Sequence, residues 1–238
     1  MGAGFDAFNS SLFSGSPVSA SHTHTPVGSP SLLIGTIYWA DNAVSAEAAT
    51  YGGDAMVEVG VVTGADQRAA IFKKVNPKPG PQTFAVSWTN ATNGRIGSIS
   101  FLRASDAPIA DFQGTEEGDG DVTLVIPNTR SLDALVQIAG NNATSAHTPQ
   151  SGQTELWDAV SPATTRISAG YYKVNPADGS IRITTSATAQ INAGCRVVGL
   201  GGGPKLLMMQ FKELLDDLKR GLLTPDQMKR RLERAWSI

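Results

Sequence analysis

The chain of 238 residues has one cysteine, Cys195, and only 17% of its residues are charged. A single cysteine excludes a disulfide framework and any zinc centre built on thiolates. So little charge means that the surface is finished with Ser, Thr, Asn and Gln. No apolar run approaches the roughly 18 residues of a spanning helix, so no membrane partner is expected. No basic stretch leads into an apolar one at the start, so no secretory leader is expected. A formal net charge of −2 gives no electrostatic reason to expect nucleic acid as a partner. What the chain does have is 25 Gly and 13 Pro, hence many turns. Its 41% of hydrophobic residues is enough for a sizeable core.

Three zones separate by pattern. Residues 1–30 are small and polar apart from Phe5, Phe8, Leu12 and Phe13, whose spacing fits one helix face. Gly, Ser and Pro around them argue against an isolated helix, so this segment is expected to be an extended docking arm. Such an arm makes few contacts within its own subunit.

Residues 31–200 read as about eleven strands between turn signals, with loops too short to hold crossover helices. Thr83–Thr89 alternates, with Phe84, Val86 and Trp88 inward and Ala85, Ser87 and Thr89 outward. Arg68–Val75 stops at Asn76-Pro77-Lys78-Pro79-Gly80-Pro81, which no strand can traverse. Ile167–Val174 and Ser180–Thr185 are further strands. The expected fold is mainly β, an antiparallel sandwich of jelly-roll-like type. Trp39, Trp88 and Phe101 belong to its core.

Residues 201–204 are a glycine linker, and 205–238 are expected to form a helical hairpin. Leu207, Phe211, Leu214, Leu218 and Leu222 step as an amphipathic stripe. Thr224-Pro225-Asp226-Gln227 supplies an N-cap, Pro at N1 and Gln at N3 for a second helix, with Met228, Leu232 and Trp236 on its apolar face. This tail is basic and the remainder acidic, which favours docking between subunits or back onto the body.

Chemistry-bearing patterns are weak. Gly199-Leu200-Gly201-Gly202-Gly203-Pro204-Lys205 fails both nucleotide fingerprints, because Pro204 replaces the last glycine of one and Leu206 follows Lys205 in the other. His22 and His24 lie on one side of an extended segment. With no third ligand nearby, an exposed polar strand is expected rather than a metal site. Glu116-Glu117-Gly118-Asp119-Gly120-Asp121 offers oxygen ligands without the register of a calcium loop, so a solvated loop tip is expected. Cys195 lies in an apolar strand and reads as an inert thiol. No nucleophile elbow is present and no carboxylate pair has a glycosidase setting, so no enzyme, catalytic residue, metal or cofactor is expected. Trp157, Tyr171 or Tyr172 could stack on a sugar ring if exposed beside a groove; packing in the core or at an edge is the simpler reading.

The segments Thr50-Tyr51-Gly52-Gly53-Asp54-Ala55-Met56 into Val57, Arg68–Val75 into Asn76-Pro77, Thr83–Thr89, Ile96–Leu102 and Gly152-Gln153-Thr154-Glu155-Leu156-Trp157 together resemble a β-sandwich of tailed-bacteriophage virion proteins. Leu214–Ala235 is similar to short C-terminal helical-pair domains of bacterial proteins that mediate oligomerisation. The resemblance implies a siphophage virion protein of the minor tail or head-decoration type. It implies a homo-oligomer, a trimer or ring, bound to other virion proteins, with a host-surface glycan as a further partner. On this reading Phe5, Phe8, Leu12 and Phe13 in the arm, and the two helical stripes in the tail, are the assembly residues. The alternatives are a capsid decoration or head-fibre protein and a carbohydrate- or receptor-binding module.

Overall fold

The computed structural model describes residues 2–15, 17–104, 111–117, 120–143, 146–150, 152–160, 167–174, 179–185 and 190–199. The linker 201–204 and the helical hairpin, with Leu207, Phe211, Leu214, Leu218, Leu222, Met228, Leu232 and Trp236, lie outside the described residues.

The described chain is built from antiparallel strands. The first half holds β1 (Gly4–Phe13), β2 (Ser19–His24), β3 (Leu32–Trp39), β4 (Ala46–Tyr51), β5 (Asp54–Ala55), β6 (Val57–Thr63), β7 (Arg68–Val75), β8 (Gln82–Trp88) and β9 (Gly94–Leu102). The second holds β10 (Phe112–Glu117), β11 (Gly120–Val125), β12 (Ala134–Asn141), β13 (Thr148–Pro149), β14 (Thr154–Val160), β15 (Ile167–Val174), β16 (Ser180–Thr185) and β17 (Gln190–Val197). Sheet I runs β1-β9-β3-β7-β6 and sheet II β2-β8-β4-β5; sheet III runs β10-β17-β12-β15-β14 and sheet IV β11-β16-β13.

Apart from the two-residue β5, the second half repeats the first strand for strand. The central registers agree: β3 meets β9 from Leu32↔Phe101 to Trp39↔Gly94, and β12 meets β17 from Ala134↔Val197 to Asn141↔Gln190. Even the bulges coincide, between Glu58 and Gly60 in β6 and between Glu155 and Trp157 in β14. The sequence keeps one trace of the repeat. Lys74-Val75-Asn76-Pro77 with Gly80, and Lys173-Val174-Asn175-Pro176 with Gly179, follow the same strand at the same spacing. Pro77 ends the first ladder, and both glycines take a left-handed φ, 72° and 70°, which side chains rarely adopt.

Strand alternation then decides the layers. In β3, Leu33, Ile37 and Trp39 face sheet II, where Tyr51, Phe84, Val86 and Trp88 close the layer. Leu32, Ile34 and Tyr38 face sheet III, against Val136, Ile138, Ile191, Ala193 and Cys195. Leu135 and Ala139 of β12 turn to sheet IV, onto Val122, Leu124, Ile126, Ile181 and Ile183. The central strands of sheets I and III are therefore buried on both faces, which is why β3, β9, β12 and β17 read as nearly continuous apolar or small-residue runs.

The segment expected to be a docking arm is instead part of the body. β1 pairs with β9 from Gly4↔Leu102 to Phe13↔Gly94, and β2 pairs with β8. Phe13 is buried 4.6 Å from the Trp88 ring, and Ala3 donates its N–H to Leu132 at 2.8 Å. The helix-like spacing has a β explanation. A bulge between Phe5 and Ala7 shifts the alternation, so Phe5, Phe8 and Leu12 fall opposite Phe101, Ile99 and Arg95 on one face, while Phe13 points the other way. Deleting residues 1–16 is thus expected to lower the thermal midpoint of the body, measured by calorimetry, rather than leave it intact.

Candidate functional site

Three places concentrate polar or exposed apolar groups. The first is a seam between sheets I and II. Alternation along β2 turns Ser21 and Thr23 outward and His22 and His24 onto β9. His22 Nε2 lies 2.7 Å from Ser98 Oγ, and Ser98 Oγ lies 2.9 Å from His24 Nδ1. His24 Nε2 lies 3.0 Å from Ser100 Oγ, which donates to Asp6 Oδ2 at 2.7 Å. Asp6 Oδ1 accepts from the Gly28 N–H at 2.7 Å. Since an ionised carboxylate only accepts, the direction propagates: Ser100 donates to Asp6, His24 Nε2–H to Ser100, Ser98 to His24 Nδ1, and His22 Nε2–H to Ser98. Burial holds the His22 imidazole at about 4, with the neighbouring His24 charge acting the same way. Burial also holds His24 at about 4, against the opposing pull of Asp6. His24 is fully buried, so the exposed polar strand expected at this point is corrected. Sequence could not show this, because a partner strand 74 residues away supplies the hydroxyls.

The seam has Ser, His and Asp but not the order of a nucleophilic triad. The carboxylate takes the serine proton, and each imidazole lies between hydroxyls or ends the chain, so no serine faces an imidazole oriented by an acid. Among the described residues, no group of three or more His, Cys, Asp or Glu side chains could hold a metal ion. In the second half the corresponding positions of β11 are Val122 and Leu124, both in the core.

The second place lies at one end of sheet III. The His147 N–H donates to Asp158 Oδ2 at 2.8 Å, its Nδ1 lies 3.5 Å from Asp158 Oδ1, and Asn141 Nδ2 lies 3.3 Å from its Nε2. Glu155 beside them is held above the usual carboxylate range by burial and by the Asp158 charge. These bonds tie the 146–150 segment to β14.

The third is the β1 side of the molecule. Phe5 stacks on Tyr172 with centroids 4.5 Å apart and planes 9° apart. Gly2, Ala3, Gly4, Arg103 and Val174 complete a notch of about 270 Å³ around them. Further along β1, Phe8 and Leu12 are 45% and 37% exposed. Sheet III covers this face over β9 and, through Tyr172, over Phe5, and leaves Phe8 and Leu12 open. Of the four assembly residues expected in the arm, Phe13 is core, Phe5 is half-buried in the notch, and Phe8 and Leu12 face solvent.

The remaining candidates resolve simply. Trp157 is a core residue, its ring lying against Gly97 and Gly170, so it is no sugar platform. The Tyr171 side chain lies outside the described ones. In the acidic turn, Glu116 Oε1 accepts the Ala65 N–H, while Gly118 and Asp119 lie outside the described residues. Gly199 N–H donates to buried Asp133 at 3.0 Å, and a Cβ at this position would lie 1.9 Å from the Leu132 carbonyl oxygen, which explains that glycine without a nucleotide. Cys195 is fully buried and its thiol is pushed up to about 12 by burial. Its reaction with a thiol reagent such as DTNB is expected to appear only on unfolding; stoichiometric labelling of native protein at pH 8 would contradict that placement.

No family model, no curated protein and no solved structure matches the chain.

Proposed function

We propose that the chain is a non-enzymatic structural component of a tailed-bacteriophage virion, a minor tail protein of the tail tip, present in several copies and joined through its terminal segments. The observation that carries this reading is the β1 side. A ten-residue edge strand without a charged residue from Ala7 to Phe13 exposes Phe8 and Leu12, while the layers behind it are filled with side chains. Soluble proteins rarely leave such an edge uncovered. Each half, with strand order 1-8-3-6-5 over 2-7-4 once β5 is set aside, is read as a jelly roll, a scaffold used in capsid proteins and lectins. The 205–238 segment joins the reading as a helical assembly element. Neither nucleic acid nor a membrane has a part in it.

Antibody raised against the purified chain is expected to decorate the tail tip of particles of the virus that encodes it, at a few to a few dozen copies. Decoration of the head at hundreds of copies would replace the tail reading by the capsid-decoration alternative. Absence from purified particles would overturn both. The carbohydrate- or receptor-binding reading is favoured by one observation, the notch in which Arg103 adjoins the stacked Phe5 and Tyr172 rings. Specific signals on a glycan array, lost in Tyr172→Ala, would support it.

A further inference from the structure

We infer that β1 is a self-pairing edge, on which a second copy of the chain adds its own β1 antiparallel about a two-fold axis at Ser10. The inference rests on reading the chain as a member of a multi-copy assembly, and it names the contact.

The other sheet edges are short, bulged or charged. β5 and β13 are two residues long. β6 is bulged between Glu58 and Gly60, and the Phe112 ring at the start of β10 lies over Gly60. β14 carries a bulge, Glu155 and Asp158. β11 contains Asp121, and β2 is six residues of Ser, Ala, His and Thr. The internal repeat supplies the sharpest comparison. The counterpart of β1 is β10, which has six residues and ends in Glu116-Glu117. Short strands, bulges and charge are how an edge is kept from pairing. β1 confines them to Asp6, which is both its charged and its bulged residue: beyond it, Ala7-Phe8-Asn9-Ser10-Ser11-Leu12-Phe13 holds no charge, bulge, proline or glycine.

The occupant follows from charge and register. A second copy of this uncharged run meets no like charge across the pair. Phe8, Ser10 and Leu12 share one face, opposite Ile99, Gly97 and Arg95 of β9. With the axis at Ser10, Phe8 of one copy lies opposite Leu12 of the other, twice, and Ser10 lies opposite itself. Both exposed side chains are then covered as aromatic–aliphatic cross-strand pairs, the stabilising unit of a sheet. A two-fold axis requires such a self-complementary contact. Sheet I of one copy continues through β1 into sheet I of the other.

The test uses the full chain. Directly opposite residues in an antiparallel pair have Cα atoms about 4.5–5.5 Å apart, within disulfide range. Ser10→Cys is therefore expected to give a covalent dimer on mild oxidation, since Cys195 is buried and does not compete. Asn9→Cys, which lies opposite Ser11, is expected to give none. Phe8→Lys with Leu12→Lys is expected to reduce the mass found by light scattering at least two-fold, with an unchanged circular dichroism spectrum. If the unaltered chain is an oligomer but Ser10→Cys does not cross-link, β1 pairing is overturned while the assembly reading stands. A chain that stays monomeric at tens of micromolar overturns both.

Discussion

Replacing Trp157 by Ala is expected to cost about 3–5 kcal/mol, read as a fall in the urea midpoint at constant slope. Trp157 is 7% exposed at the bulge of β14, and its ring fills the layer between sheets I and III. Two glycines make its slot. A Cβ on Gly97 of β9 would lie 2.4 Å from the ring and one on Gly170 of β15 would lie 2.3 Å from it, so the indole rests on bare backbone from both sheets. Sheets cannot collapse onto a vacancy of indole size without unpairing strands, so the cavity persists. The reciprocal change, Gly97→Val, drives a side chain into the ring and is expected to cost about 1–3 kcal/mol. A Trp157→Ala variant with an unshifted midpoint would mean that the ring does not hold the two halves together.

Acidification is expected to weaken the first half selectively. His22 and His24 are held at about 4 in the fold, below the 6.5 of an unperturbed imidazole. The fold therefore prefers the neutral rings. Their stabilising contribution is complete above pH 6.5 and is lost as pH falls from 6.5 through 4, because the unfolded chain takes up the protons first. For fully buried His24 the loss approaches roughly 3 kcal/mol, and for half-buried His22 it is smaller. Protonation of His24 at Nδ1 also breaks the directed chain, since Ser98 can then no longer donate to that nitrogen, while Ser100 still accepts from Nε2–H and donates to Asp6. His22→Val with His24→Leu places the residues of the second half, Val122 and Leu124, at the corresponding positions. This variant is expected to be less stable at pH 7, where Ser98 loses both imidazoles and Ser100 keeps only Asp6 and the Ala7 carbonyl, and to show a flat midpoint between pH 6.5 and 4. A wild-type midpoint that is also flat there would contradict the buried neutral seam.

Much of the strand pattern was legible in the residues. β7, β15 and β16 keep their expected bounds because Asn-Pro and Gly punctuate them. The alternation of β8 is as read, with Phe84, Val86 and Trp88 buried and Thr89 exposed. β1, β4 and β10 were not legible as strands, because Ser, Ala, Gly and Glu carry little β signal until a neighbouring strand supplies their hydrogen bonds. The repeat left one short motif in the sequence, since a sandwich is conserved through strand order and register, to which many side chains are indifferent.

The site divides along the same line. Phe5, Phe8, Leu12 and Phe13 stood out as large apolar residues in a polar segment, and that much follows from composition alone. Which of them face solvent depended on a single bulge and on where sheet III stops covering β1. His22 and His24 could be placed on one side of a strand from their spacing. Their burial required Ser98, Ser100 and Asp6 to arrive from distant positions, as Trp157 required two glycines from different sheets. Local alternation assigns a residue to a face of its strand. Whether that face meets water, a hydroxyl or another sheet is set by long-range pairing, which no short window of sequence contains.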